Sequence, residues 1–359
     1  MHPYRIFICY AHADQGLAAH IAEYLRELGM IPLWDKAIRD GDPISQAIID
    51  LIPRAHVFLP LITENSVSRP WVHQETGLAV GLNVPCLPIA TEGTPTAMIT
   101  ELKAIVLKDA QGNLPTLKES LSRKAIEHKA ESGLLDRATP FEIADDSDQR
   151  VDTIVRYAEE VYVRHGPSRL RLDAAFSSFC IPTEPIDDKI WDDYEGDARR
   201  TPKQRELRWR ERRAIEKHAK EAGCDMIIHP SLKLEENGEH ARRTRLRILL
   251  SFLKKHADSQ NIRVAVRPKV SRQNQLIVGD HFSAVSRAPR AGVGYTHTPI
   301  TWHAASVLKQ LRDFDEIFEA CLENPVPPRS PAPAEPRQTA VEIIKEIINE
   351  SEQARGDAS

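Results

Sequence analysis

Residues 66–90 are Ser-Val-Ser-Arg-Pro-Trp-Val-His-Gln-Glu-Thr-Gly-Leu-Ala-Val-Gly-Leu-Asn-Val-Pro-Cys-Leu-Pro-Ile-Ala, a stretch that predicts a helix followed by a strand. Ser66 and Ser68 are residue types that cap helices, and Pro70 suits a first helical turn because its missing N–H has no partner there. The helical spacing of apolar residues then stops, and 84–89 predicts a short buried strand.

One carboxylate in this stretch lies beside a large aromatic residue. Glu75 follows Trp71 by four positions, so both side chains project from one face of the predicted helix. The free N–H groups and the positive end of the helix dipole lie close to this turn. The position therefore suits an anion or a carboxylate that must stay ionised.

Composition and charge limit the classes of function. The chain has 359 residues, enough for about two domains, and its net charge of −4 gives no general reason to bind nucleic acid. No apolar run approaches the roughly 20 residues that span a membrane, and the first residues lack a signal-peptide pattern. Five scattered cysteines without metal-ligand spacing are typical of a reducing compartment. We therefore expect a cytoplasmic protein.

Strands and helices alternate through the first third of the chain, which predicts an α/β fold with a doubly wound parallel sheet. Ligands of such sheets bind beyond the carboxyl ends of the strands, near the reversal of strand order. Strands are predicted at 4–10, 30–34, 57–62, 84–89 and 104–107.

Three segments resemble the TIR (Toll/interleukin-1 receptor) domain. Residues 7–10, Phe-Ile-Cys-Tyr, together with Asp14 are similar to its first box, although Cys9 stands where the family commonly has Ser. Residues 41–44, Gly-Asp-Pro-Ile, resemble the loop after its second strand. Residues 68–89 match its Trp-x-x-x-Glu helix and the strand that follows. The resemblance implies a flavodoxin-like TIR domain over 1–135.

The same resemblance implies that the chain cleaves the nicotinamide–ribose bond of NAD+, with Glu75 as the catalytic glutamate. NAD+ would be the substrate, with no further cofactor and no metal. Nicotinamide in NAD+ is already a cationic leaving group, so the difficult species is an oxocarbenium-like ribose that a fixed carboxylate stabilises. ADP-ribose and cyclic ADP-ribose both remain open as products.

The predicted substrate-binding residues gather at the same sheet edge. Packing and substrate contact both remain open for Trp71, and core packing and ring stacking both remain open for Trp34. Asp35 and Asp42 also fit ordinary turn chemistry. The full predicted set is Arg5, Cys9, Tyr10, Trp34, Asp35, Asp42, Ser68 and Trp71.

Two other folds of similar topology are excluded. A phospho-acceptor receiver domain needs an Asp at the end of its third strand, where this chain has Pro-Leu-Ile-Thr at 60–63. A dinucleotide-binding domain needs Gly-x-Gly-x-x-Gly at its first helix, and the chain lacks it.

The rest of the chain predicts a connecting helix at 136–167, a second α/β domain at 168–324, a proline-rich linker at 325–338 and an amphipathic helix with a tail at 339–359. That last helix either docks on its own chain or meets a partner helix. Residues 274–286 faintly resemble a non-catalytic phospholipase-D-like repeat. This faint resemblance does not assign a role to the second domain.

The charged and histidine-containing segments in the second half of the chain do not predict a nucleic-acid site or a metal site. The Arg-rich helix at 202–220 predicts a solvated surface with intra-helical ion pairs, and nucleic-acid binding is the weaker alternative. The side chains that could form a metal cluster match no ligand pattern; they are Asp280, His281, His297 and His303.

The resulting hypothesis is a bacterial TIR effector that degrades NAD+, with a role in anti-phage defence. TIR–TIR self-association would activate it, under the control of a ligand or partner at the second domain. The alternative is a non-enzymatic TIR scaffold that recruits other TIR proteins.

Overall fold

A computed structural model gives the fold. It describes residues 3–34, 44–67, 69–91, 104–107, 117–118, 121–132, 142–174, 177–184, 188–195, 200–229, 238–256, 261–267, 273–287, 297–323, 340–345 and 348–349. The chain divides into two compact units. Unit 1 comprises Met1–Thr139 and Trp302–Lys309, and unit 2 comprises Pro140–Thr301 and Gln310–Ser359.

Unit 1 contains a parallel sheet in the order β2-β1-β3-β4-β5, which confirms the predicted doubly wound topology. Helices follow the strands as the sequence pattern predicts. The described elements are β1 (Arg5–Cys9), α1 (Gln15–Glu27), β2 (Ile31–Leu33), α2 (Ile44–Leu51), β3 (Val57–Ile62), α3 (Glu64–Val67), α4 (Pro70–Gly81), β4 (Ile89–Ala90), β5 (Ile105–Val106) and α5 (Arg123–Ser132).

Strand β1 is buried on both faces, which explains its continuous apolar sequence. Ile6 and Ile8 belong to the core cluster that α1 covers, whereas Phe7 and Cys9 belong to the cluster that includes Val72 of α4. This alternation follows from the two-residue period of a strand. It fixes which side chains of β1 can meet α4.

The strand predicted at 84–89 is shorter in the structure. Only Ile89–Ala90 forms β4, while the segment before it binds β3 through Phe58, whose N–H donates to the Pro85 carbonyl at 2.8 Å. Pro85 and Pro88 carry no N–H, so they cannot complete a regular ladder.

Unit 2 contains a mixed sheet in the order β6-β12-β11-β10-β7-β8-β9. Strands β7, β8 and β9 are parallel, and the strands on the other side pair antiparallel. The described elements are β6 (Glu142–Ala144), α6 (Ser147–His165), β7 (Leu170–Ala174), α7 (Asp188–Glu195), α8 (Pro202–Ala222), β8 (Cys224–Ile228), α9 (Gly238–Lys255), β9 (Ile262–Val266), β10 (Gln273–Val278), β11 (Phe282–Arg287), β12 (Thr298–Thr301) and α10 (Ala304–Glu323).

The predicted domain boundaries need correction. Strand β6 pairs with β12 and α6 packs on α8, so the predicted connecting segment at 136–167 is largely an integral part of unit 2. Conversely, Trp302–Lys309 groups with unit 1, because its side chains pack there and Leu308 joins the core cluster of β1. The proline-rich segment at 325–338 lies outside the described residues.

The Arg-rich helix is α8, and only one of its faces is solvated, whereas the prediction made the helix a solvated surface. Arg208, Glu211 and Arg212 are buried, because the helix packs against α6 and meets Arg150 from it. The predicted intra-helical pairs are present, with Arg212 Nε 3.2 Å from a Glu216 carboxylate oxygen. Arg208 and Arg212 are therefore not presented to nucleic-acid phosphates, whereas Arg210 and Arg213 lie on the exposed face.

The amphipathic segment near the C-terminus docks on its own chain. Residues 340–345 are helical, and Ala340, Ile344 and Ile348 are buried. Of the two possibilities that the sequence leaves open, the structure therefore favours intramolecular docking.

Candidate active site

The carboxyl ends of β1 and β3 define the site. Strand order reverses between these two strands, because β2 lies on one side of β1 and β3 lies on the other. Cys9 is the last residue of β1, and Ile62 is the last residue of β3. The loops that follow them, and helix α4, surround the crevice where α/β sheets bind ligands.

Glu75 lies over the end of β1. It is half-buried in the second turn of α4 and close enough to Cys9, the last residue of β1, to raise the pKa of its thiol. The helix begins at Pro70 after an extended Arg69 that makes no side-chain cap. The predicted capping role of Ser66 is wrong, because its hydroxyl instead bonds the backbone of Thr63.

The Cys9 thiol is protonated. Its pKa is raised well above the ordinary value, first by burial, then by the negative charge and hydrogen bond of Glu75, and also by Cys86. Cys9 is only 2% exposed and packs in the apolar cluster of Phe7 and Phe58, so core packing is the role that the structure shows.

Trp71 lies one turn before Glu75 on α4 and is 45% exposed. The buried face of this helix is formed by Val72, Thr76 and Ala79 instead. Trp71 is therefore partly covered and partly exposed, so packing and contact with a ligand both stay open for it.

Tyr10 and Trp34 follow β1 and β2 and lie together. Their ring centroids are 6.1 Å apart and inclined by 48°. Both side chains are buried in the core cluster of α1, with exposed fractions of 7% and 8%. Of the two interpretations of Trp34, core packing is the one that the structure shows.

A polar network that sequence analysis missed joins the loops after β1 and β3. Asp14 accepts a hydrogen bond from the Thr63 hydroxyl at 2.6 Å and another from the Asn65 amide at 2.8 Å. Asp14 stands at the N-cap position of α1, yet its side chain makes no capping hydrogen bond. The signal was available, since polar residues directly after β1 and β3 must meet at the same sheet edge.

Arg5 lies at the opposite edge of the sheet. It begins β1, four residues before Cys9, which places the two Cα atoms about 13 Å apart along the strand. Its Nε donates to the Arg54 carbonyl at 2.7 Å. The structure therefore does not bring Arg5 to Glu75, and the predicted role in substrate binding is corrected.

Three predicted substrate-binding residues, Asp35, Asp42 and Ser68, lie outside the described residues, as does the loop at 35–43. Within the described ranges, no group of three or more His, Cys, Asp or Glu side chains is placed to hold a metal ion. The described side chains at this edge therefore supply a carboxylate, a thiol, a partly exposed indole and a network of hydroxyl and amide groups.

A comparison with known protein families identifies the domain that contains this edge of the sheet. A family profile described as the TIR domain matches residues 6–122, which contain β1 to β5 and α4. Residues 6–122 form a TIR domain. This confirms the resemblance found in the sequence and supports a TIR-family role, either in signalling or in NAD+ cleavage.

Other comparisons add little. Among solved structures, a 2-desoxiribosyltransferase from Leishmania mexicana is 16% identical over 30% of this chain and 75% of that chain, with a TM-score of 0.23. A comparison with curated proteins finds no match. TIR domains commonly self-associate. In the described ranges, no helix combines the length and apolar character needed to cross a membrane.

Proposed function

We propose that the TIR domain cleaves the nicotinamide–ribose bond of NAD+ and that Glu75 is its catalytic carboxylate. The observation that carries this proposal is the position of Glu75, half-buried over the end of β1 at the reversal of strand order. The only carboxylate that the TIR pattern assigns to catalysis thus lies at the edge where such sheets bind ligands.

The chemistry needs little else. Bond cleavage releases neutral nicotinamide and leaves positive charge on the ribose, and a fixed carboxylate lowers the energy of that state. Attack by water gives ADP-ribose, whereas attack by the adenine of the same molecule gives a cyclic product. Asp14 and its hydroxyl and amide partners fix the adjoining loops, which supports a stable shape for the crevice.

Activity would depend on TIR–TIR association, and unit 2 would set when that occurs by binding a ligand or partner. Such control fits an effector of bacterial anti-phage defence, because uncontrolled loss of NAD+ is harmful to the cell. The exposed ring of Trp71 supports a contact surface near the site. The same observation favours the second candidate function, a scaffold that recruits TIR proteins without catalysis.

The test is nicotinamide release by the full chain, measured chromatographically at low and high protein concentration. Glu75→Gln should lower the rate at least about a hundredfold, because it removes the charge that stabilises the ribosyl cation. Glu64→Gln is the matched control, since Glu64 is an exposed carboxylate on α3. Full activity in Glu75→Gln would remove the catalytic role of Glu75, whereas no nicotinamide release by the original protein at either concentration would contradict the enzymatic proposal and leave the scaffold.

A further inference from the structure

The two oxygens of one carboxylate tie the loop after β1 to the segment after β3. Asp14 Oδ2 accepts a hydrogen bond from the Thr63 hydroxyl at 2.6 Å, and its Oδ1 accepts from the Asn65 amide at 2.8 Å. Thr63 follows the last residue of β3 and is 5% exposed, so its hydroxyl has little access to water as another acceptor. Loss of the carboxylate would leave a buried donor without its acceptor, which is costly.

Thr63 passes this constraint into the short helix α3. Its hydroxyl, which donates to Asp14, also accepts from the Ser66 N–H at 3.1 Å. The Thr63 N–H donates to the Ser66 hydroxyl at 2.8 Å, and that hydroxyl donates to the Thr63 carbonyl at 3.1 Å. The Val67 N–H donates to the same carbonyl at 3.1 Å. The position of α3 therefore depends on Thr63, whose hydroxyl Asp14 orients.

The end of α3 is bonded to the first turn of α4. Nε2 of the His73 ring lies 2.9 Å from the Val67 carbonyl, and it carries the proton and donates, because a carbonyl only accepts. Helix α4 begins at Pro70 without a side-chain cap, so this bond supplies an anchor near its start. Glu75 follows His73 by two residues in the same helix. A path of hydrogen bonds thus runs from Asp14 to the helix that carries Glu75.

We propose that Asp14 is a positioning residue, which holds α3 and, through His73, the first turn of α4, so that Glu75 stays at the sheet edge for NAD+ cleavage. This inference rests on the proposed function above, and it gives Asp14 no contact with the ribose. The carboxylate acts through the geometry of its hydrogen bonds and not through its charge. Such a remote bond can matter, because a misplacement of about 1 Å can lower a rate about a hundredfold.

The first experiment compares Asp14→Ala with Asp14→Asn in the full chain. Asp14→Ala removes both acceptors and should lower kcat for nicotinamide release about tenfold with KM little changed, because Glu75 is displaced while NAD+ still binds. Asp14→Asn should keep at least about half of the original kcat, since its oxygen can accept from Thr63 and the Asn65 amide can turn to accept from the new NH₂ group.

The two variants separate geometry from charge. A kcat in Asp14→Asn as low as in Asp14→Ala would overturn the inference, because the negative charge would then be what matters. A KM that rises about tenfold in Asp14→Ala with kcat unchanged would also overturn it, since Asp14 would then act by binding substrate.

Thr63→Val tests the same bond from its other end and leaves the charge of Asp14 in place. It should lower kcat by a similar factor. The double variant Asp14→Ala/Thr63→Val should be no more than about twofold worse than either single variant, since both changes break one path. Losses that multiply in the double variant would overturn the inference.

Glu64→Ala is the matched control, because Glu64 is an exposed carboxylate on the same helix α3. It should leave kcat and KM unchanged. A loss of kcat equal to that in Asp14→Ala would overturn the inference, since any lost carboxylate near α3 would then have the same effect.

A structural measurement separates this inference from the proposed function. The NMR signals of the His73 ring and the exchange of the Ser66 and Val67 amide protons can be followed whether or not NAD+ is cleaved. Asp14→Ala should shift the ring signals and speed the exchange at least about tenfold, and Asp14→Asn should restore both. That result without nicotinamide release by the original protein supports positioning and removes only the enzymatic proposal. Identical signals and rates in all three proteins overturn positioning.

Discussion

Glu75 in unit 1 and Asp225 in unit 2 are two carboxylates held in different ways. Asp225 of β8 is 1% exposed and accepts hydrogen bonds from Arg169 at 2.6 and 2.8 Å and from Arg263 at 2.7 Å. Burial raises the pKa of Asp225, but the two guanidinium groups outweigh it and lower the pKa. Glu75 is half-buried and lies beside the Cys9 thiol, which is neutral because its pKa is raised.

The difference shows how the partner of a carboxylate decides its use. Two guanidinium groups neutralise Asp225 and join three neighbouring strands, which is a structural role. The Cys9 thiol beside Glu75 is neutral, whereas both groups that bond Asp225 are cations. The contrast separates a carboxylate that supports the fold from one that lies at the sheet edge and to which the proposed function gives the catalytic role.

The largest expected effect on stability is at Asp225. Asp225→Asn leaves two guanidinium groups beside a neutral amide and should lower the free energy of unfolding of unit 2 by about 3 kcal/mol. Denaturant unfolding of the full chain measures this change. Asp152→Asn, at an exposed position on α6, should change it by less than about 0.5 kcal/mol. Equal stability of the two variants would remove the contrast with Glu75.

His303 extends the comparison to a buried base. Burial lowers its pKa to about 4, and the nearby Leu82 carbonyl opposes this shift only in part. The folded protein therefore binds this proton less readily than the unfolded chain, whose histidine titrates near pH 6.5. The free energy of unfolding should therefore have its full value above about pH 6.5. It should fall by on the order of 3 kcal/mol as the pH drops towards 4.

The measurement for His303 is the pH dependence of the unfolding midpoint. His303→Gln should lose most of this dependence, since it has no proton to bind. His297→Gln is the control, because that ring is 69% exposed and should retain the dependence of the original protein. A profile unchanged in His303→Gln would show that other groups dominate the acid response.

Trp71 should give the smallest effect on stability and a specific effect on assembly. Trp71→Ser should alter the free energy of unfolding by less than Asp225→Asn does, since the residue is 45% exposed and carries no charge. It should weaken self-association in sedimentation velocity and lower NAD+ cleavage only at concentrations where the original protein associates. A raised KM with unchanged association would instead make Trp71 a substrate contact.

Local patterns predicted most of unit 1. The apolar run of β1, the spacing of α1 and the position of β3 follow from the periods of strands and helices, and the last was predicted with the bounds that the structure has, Val57–Ile62. The parallel topology follows from the alternation of strands and helices. These features depend on neighbouring residues, so one sequence is enough to find them.

Contacts between distant segments could not be predicted in the same way. The bonds from Asp14 to Thr63 and Asn65 join residues about fifty positions apart. The burial of Arg212 depends on carbonyl groups of Phe179 and Ile181, which accept from its guanidinium. A mixed-charge helix has the same local pattern whether solvent or protein covers it, so tertiary packing decides.

Arg5 shows the limit of residue type as a guide. An arginine near a predicted site suggests anion binding, yet its position at the amino end of β1 gives it the Arg54 carbonyl instead. The sequence places both Arg5 and Cys9 on one strand. The direction of that strand decides which of them reaches the crevice.

The allocation of Trp302–Lys309 to unit 1 bears on how the TIR domain can be prepared. Leu308 is a member of its apolar core, and the Trp302 ring lies 6.0 Å from the Arg54 guanidinium. A fragment that stops at Thr139 would lack these residues and expose apolar surface to water. This domain is discontinuous along the chain, so expression of its first 139 residues alone would yield an incomplete core and a poor sample for enzymology.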